Sequence, residues 1–164
     1  MRRKPLNGGA NPDFSMERKP KLLLVDENPQ DLHDYTAMLR HLGYEVKPAG
    51  SYTGAVEFLD REAFDLVMVD QGSTDFEGRA VLRRAVEIDH RTPVLVLTGT
   101  VSASCCVNAL DMGADEYVQK PLTSSEVREL VDDYLRPSIK PAAAGRDLLI
   151  HTQGANRESL HKAS

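Results

Sequence analysis

Five alternations of a short apolar run with a helix-like segment, between Lys21 and about Arg136, predict an α/β domain. The fold class is a doubly wound, five-stranded parallel sheet with helices on both faces. Two observations carry it. Three of the five runs are almost uninterrupted, as strands buried on both faces must be. Chemically active residues also stand where the runs end. Leu22 to Val25 leads into Asp26-Glu27, Leu66 to Val69 into Asp70, Val94 to Leu97 into Thr98, and Tyr117-Val118-Gln119 into Lys120. In open parallel sheets the strand carboxyl ends line the ligand crevice, so these residues are expected to converge.

The strands are expected at 21–25, 44–48, 65–69, 93–97 and 115–118. Asn28 is the N-cap of the first helix, Pro29 occupies its first position, and Leu32, Tyr35, Leu39 and Leu42 form its buried stripe before Gly43 stops it. Ser51 caps a second helix carrying Ala55, Phe58 and Leu59. A third, at about 78–89, points Val81, Leu82, Ala85 and Ile88 inward. The fourth, about 102–112, ends at Gly113; the fifth starts after Thr123-Ser124, uses Val127, Leu130, Val131 and Leu135, and is closed by Pro137.

Hydrophobic residues make up 41% and charged residues 27% of the 164, close to globular averages. No apolar stretch approaches the roughly 18 residues of a membrane span. The basic start Met1-Arg2-Arg3-Lys4-Pro5 runs into Asn7-Gly8-Gly9-Ala10-Asn11-Pro12, where a signal peptide needs an apolar segment, so a cytoplasmic location without membrane contact is expected. A net charge of −5 argues against direct nucleic-acid binding, which relies on clustered Lys and Arg. Cys105 and Cys106 adjoin within one helix and read as ordinary thiols. Residues 1–20, polar and aperiodic, read as a flexible leader, with Met16 an alternative start; 138–164 read as a disordered tail or a segment that docks through Leu148-Leu149-Ile150.

Asp70 reads as a carboxylate able to take a phosphoryl group. The incoming charge must be screened, and Asp26 and Glu27 add oxygens for a magnesium ion. Three carboxylates packed together repel one another, and a divalent cation reverses that penalty. Lys120 supplies a compact cation for Asp70 or for phosphoryl oxygen, and Thr98 a hydroxyl donor.

Four segments, Leu23-Leu24-Val25-Asp26-Glu27, Val67-Met68-Val69-Asp70 with Gly78 eight residues on, Val96-Leu97-Thr98-Gly99, and Ala114 to Pro121, stand in order at family spacing. Together they resemble the receiver domain of bacterial two-component response regulators over about residues 20–137. The resemblance implies a flavodoxin-like (βα)5 fold. It implies that Asp70 accepts phosphate from a histidine kinase or histidine phosphotransfer protein, with Mg²⁺ held by Asp26 or Glu27, Asp70 and the Gly72 backbone carbonyl. Thr98 and Tyr117 match the switch pair that reshapes the face around the fourth helix and fifth strand. The driver is the charge a phosphoryl group adds, about −1.5 to −2 near neutral pH. Homodimerisation through that face is expected by analogy alone.

Some residues depart from the family pattern. Glu27 stands where Asp is commoner, which favours water-mediated metal contact. Thr74 replaces the usual proline of the acceptor loop, predicting a looser loop. Gly72 lacks the side chain that overhangs the phosphate in relatives. Gly99 leaves access open, and Asp75 and Glu77 read as solvated loop acids. The leading expectation is a stand-alone phosphoacceptor that catalyses only its own phosphotransfer and slow hydrolysis, and signals by protein contacts. A degenerate receiver that binds a partner without phosphorylation is the alternative. A phosphohydrolase with an aspartyl intermediate needs a second Asp where Gly72 stands, and no helix-turn-helix fits after Pro137. His33, His41 and His90 read as surface histidines, not relay carriers.

Overall fold

Ten elements alternate along residues 18–135, the part of the chain that this computed structural model describes. They are β1 (Lys21–Val25), α1 (Pro29–His41), β2 (Glu45–Ala49), α2 (Tyr52–Arg61), β3 (Leu66–Asp70), α3 (Arg79–Ile88), β4 (Val94–Thr98), α4 (Ala103–Asp111), β5 (Glu116–Gln119) and α5 (Ser124–Leu135). The strands form one parallel sheet in the order β2-β1-β3-β4-β5. The expected fold class is therefore the observed one. Pro48, which has no N–H for a ladder, sits on the edge strand β2, where that loss is tolerated.

Alternation along the strands divides the core in two. Leu23, Val25, Val67, Val69, Val94 and Val96 pack with Ala55, Leu59, Val81, Leu82, Ala85 and Ala109 of α2, α3 and α4. Leu22, Leu24, Leu66, Met68, Leu95 and Leu97 pack with Tyr35, Leu39, Val127, Leu130 and Val131 of α1 and α5. The three central strands thus bury every residue except Lys21, which is why their sequences read as continuous apolar runs.

Helix starts follow the side chains that cap them. Asn28 accepts from the N–H groups of Gln30 and Asp31, Ser51 from Gly54, and Ser102 from Cys105. Thr123 and Glu126 form a reciprocal capping box, so α5 begins at Ser124, directly after its cap. The last four strands lie one residue later than the sequence suggests, and in β3 and β4 the ladder continues into the functional positions. Asp70 pairs with Leu97, Thr98 with Gln119, and the Gln71 N–H donates to the Leu97 carbonyl at 2.7 Å. Those positions therefore share the sheet's rigidity.

Ordered contacts begin inside the expected leader. Arg18 grips the Asp65 carboxylate with two nitrogens, at 2.7 and 2.9 Å, and the Lys21 N–H donates to the same group. Residues 1–17 and the tail expected at 138–164 lie outside the described residues. Among the described residues no helix is long and apolar enough to cross a membrane.

Candidate phosphoacceptor site

Asp70 closes β3, Asp26 follows β1, and Lys120 follows β5, so three strand ends bring two acids and an amine together. Each is set by main-chain bonds. The Asp26 N–H donates to the Ala49 carbonyl at 3.1 Å and the Lys120 N–H to the Thr98 carbonyl at 2.7 Å. Lys120 Nζ lies 2.8 Å from Asp70 Oδ1 and 2.9 Å from Asp26 Oδ2, and a third carboxylate, Asp31 Oδ2 from the first turn of α1, is 2.8 Å away. The other oxygens are also engaged: Asp70 Oδ2 accepts from the Gly72 N–H and Asp26 Oδ1 from the Asn28 N–H, each at 2.9 Å.

Burial sets the electrostatics. It pushes the Asp26 carboxyl above its usual range, with the Asp70 charge adding to the rise and Lys120 and the Asn28 N–H opposing it. Burial opposes the charge on Lys120, but its bonds to Asp31, Asp70 and Asp26 outweigh that, and its pKa is raised. The cluster is a region of excess negative charge held together by one ammonium.

The donor set fits a hard cation. Asp26 and Asp70 offer carboxylate oxygens, and no described residue donates to the Gly72 carbonyl. Glu27 is exposed and stands outside the Lys120 cluster. Among the described residues no three His, Cys, Asp or Glu side chains converge closely enough to hold an ion alone. A magnesium ion keeps several waters, so two carboxylates and a carbonyl could hold it, and Glu27 could add a contact through water. An orphaned polar atom faces the same region. The Tyr52 hydroxyl is buried without a hydrogen-bond partner among the described residues, and burial followed by the charges of Asp70, Glu27, Glu77 and Asp26 raises its pKa.

A neutral network flanks Asp70 on the other side. Thr98, fully buried, donates its hydroxyl to the Thr100 carbonyl at 2.7 Å and accepts from the Thr100 N–H at 3.0 Å. Tyr117 is inward, 1% exposed, and its hydroxyl donates to Gln71 Oε1 while accepting from the Ser102 N–H at 3.2 Å. Burial raises the phenol's pKa, against bonds to Ser102 and Thr98. Gln71 is fully buried, and its amide also donates to the Ser73 carbonyl at 3.0 Å.

Residues 22–132 match the family model of the response regulator receiver domain. The chain belongs to that family. This receiver is 30% identical over 146 residues to the transcriptional activator protein PfeR of Pseudomonas aeruginosa, covering 87% of the chain and 48% of PfeR. It is 32% identical over 116 residues to the regulatory protein VanRc of Enterococcus gallinarum, covering 71% and 50%. It thus spans about half the length of these relatives. The receiver superposes on a CheY-like response regulator receiver domain protein from Methanospirillum hungatei JF-1 with TM-score 0.68 at 27% identity, over 72% of this chain and 94% of that one. It also superposes on the receiver domain of the sensor histidine kinase PA1611 from Pseudomonas aeruginosa PAO1, with TM-score 0.64 at 26% identity over 72% and 98%. That protein was crystallised with a magnesium ion coordinated in its active-site cleft.

The receiver brings Asp26, Asp70 and Lys120 into contact and sets Thr98 and Tyr117 beside them. The acceptor loop is better fastened than the missing proline suggests. Ser73 donates its N–H and hydroxyl to the two Glu77 oxygens, both at 2.7 Å, and the Gly78 N–H donates to the Gln71 carbonyl at 3.1 Å. Glu77 is therefore a loop clasp as well as an exposed acid, while Asp75 is exposed as expected. Gly72 has φ +85, and a Cβ there would collide with the Glu77 carboxylate and approach the Tyr52 hydroxyl to 2.9 Å. Gly78 packs so closely that a Cβ would strike the Asp70 carbonyl.

Two members of the site escaped the sequence reading. Asp31 follows no strand, and only its place in the first turn of a helix packed beside β1 could have flagged it. Gln71 reads as a loop residue, yet the ladder carries it one step past Asp70 into the core.

Proposed function

We propose that this chain is a phosphoacceptor that takes a phosphoryl group on Asp70 from a phosphohistidine of a histidine kinase or phosphotransfer protein. The observation that carries the reading is the Asp70 carboxylate held 2.8 Å from Lys120 Nζ at the carboxyl edge of the sheet, beside a second buried acid. An Asp70 oxygen attacks phosphorus, the donor's N–P bond breaks, and the pair of electrons stays on the imidazole nitrogen. The result is an acyl phosphate. Lys120 trades a carboxylate oxygen for a phosphoryl oxygen, and Thr98 turns its hydroxyl from Thr100 toward the same group. When bound on Asp26, Asp70 and the Gly72 carbonyl, with Glu27 through water, Mg²⁺ screens the incoming charge.

The output is a change in protein contacts around α4 and β5, where the Tyr117 hydroxyl meets the Ser102 N–H that opens α4 and Thr98 holds Thr100 just before it. This receiver works in the cytoplasm as a signalling component, and its own chemistry is limited to phosphotransfer and slow hydrolysis. Incubation with Mg²⁺ and a small-molecule phosphodonor tests the reading. The wild-type chain should gain the mass of one phosphoryl group, and Asp70→Asn should gain none. A wild-type chain whose mass does not change overturns it.

A further inference from the structure

We propose that Asp31 is a positioning residue for Lys120, a solvent-side berth that keeps the ammonium in the pocket when a divalent cation takes Asp26 and Asp70. The inference rests on the phosphoacceptor reading and deepens it.

An alkylammonium has three N–H donors and no acceptor. Lys120 commits them to three carboxylates, Asp26 Oδ2 at 2.9 Å, Asp70 Oδ1 at 2.8 Å and Asp31 Oδ2 at 2.8 Å. The three partners are unequal. The Asp26 and Asp70 side chains are 3% and 12% exposed, whereas Asp31 is 39% exposed. The two buried carboxylates are also the ones a metal ion would need. A dication and an ammonium cannot both sit on that pair without strong repulsion, because a poorly solvated site screens like charges weakly. Asp31 lies outside the oxygen set that fits the ion. It is the carboxylate the ammonium can keep.

Local structure holds the berth in place. The Asp31 N–H donates to Asn28 Oδ1 at 3.1 Å, and the Asn28 N–H donates to Asp26 Oδ1 at 2.9 Å. One capping residue therefore starts α1, orients Asp26 and fixes the backbone of Asp31. An acid in the first turn is also favoured by the helix dipole. Asp31 would keep Lys120 within reach of the acceptor while freeing Asp70 for the ion and the incoming phosphoryl group.

A simple charge effect and a berth predict different things, and Lys120 separates them. Mg²⁺ affinity is measured by calorimetry for the wild-type chain, D31N, D31E, K120M and D31N/K120M. Asp31→Asn should weaken Mg²⁺ binding about tenfold, and Asp31→Glu should restore most of it. In the K120M background there is no ammonium to house, so the same substitution should cost about twofold or less. D31N binding Mg²⁺ as tightly as the wild type overturns the inference, and so does an equal loss in both backgrounds. Either result leaves the phosphoacceptor reading standing if the wild type gains its phosphoryl mass. A wild-type chain that neither binds Mg²⁺ nor gains mass overturns that reading and this inference with it.

Discussion

Two polar networks flank Asp70, and they are built on opposite principles. On one side Asp26, Asp31 and Asp70 share the single ammonium of Lys120, an arrangement in which excess negative charge is held by a partner that can move. On the other, the buried side chains of Tyr117, Gln71 and Thr98 make neutral hydrogen bonds, Tyr117 with Gln71 and the Ser102 N–H, Thr98 with Thr100. The charged network suits exchange, because an ion or a phosphoryl group can replace any one contact with another of similar strength. The neutral network suits holding, because a buried donor that loses its acceptor finds no water to replace it. A receiver needs both properties at one residue, and here the chain turns from one to the other between Asp70 and Gln71.

Removing Lys120 should have the largest effect. Lys120→Met leaves Asp26 and Asp70 buried without their cation, and breaking a buried pair in this way costs about 3 kcal/mol or more. Urea unfolding in the presence of chelator should show that loss. Mg²⁺ should then recover more stability in K120M than it adds to the wild type, because the ion no longer competes with an ammonium. Equal gains in the two proteins would mean that the charged network does not exchange partners as described.

Gln71→Leu tests the neutral side, with a smaller expected cost of about 2 kcal/mol, since it strands the Tyr117 hydroxyl donor in the core. Tyr117→Phe on top of it should cost less than either single change predicts, because the orphaned donor is then gone. Mg²⁺ should leave the Q71L deficit unchanged. A deficit that shrinks with Mg²⁺ as it does in K120M would erase the distinction between the networks.

The two networks were unequally legible in the sequence, for the same physical reason that separates them. Charged residues at strand ends announce themselves, because a parallel sheet puts those ends in one crevice, and Asp26, Asp70, Thr98 and Lys120 could be placed from that rule alone. Asp31 could not, since its contact with Lys120 depends on how α1 packs against β1 and not on any strand register. Gln71 was hidden by its polarity. A glutamine after a strand reads as loop, and only the ladder bond from its N–H to Leu97 shows that the sheet carries it inward to Tyr117. The one-residue offset at the ends of β3, β4 and β5 has the same origin, because the polar residues Asp70, Thr98 and Gln119 look like punctuation although the hydrogen-bond ladder includes them.

The smallest effect should come from the joint between the networks. Gly72 donates its N–H to Asp70 on the charged side, and the clasp beside it, Ser73 on Glu77, also fixes the Ser73 carbonyl that Gln71 uses. Gly72→Ala places a side chain at φ +85, at a cost of about 1 kcal/mol, and the new Cβ drives the Glu77 carboxylate off Ser73. The displaced clasp loosens Ser73, so in urea unfolding the substitution should couple to Gln71→Leu and add simply to Lys120→Met. Glu77→Ala in the same chain should add little further loss, because the new Cβ has already displaced the clasp that Glu77 makes. If Gly72→Ala instead couples to Lys120→Met and not to Gln71→Leu, the loop belongs to the charged network, and the boundary between exchange and holding lies beyond Gln71.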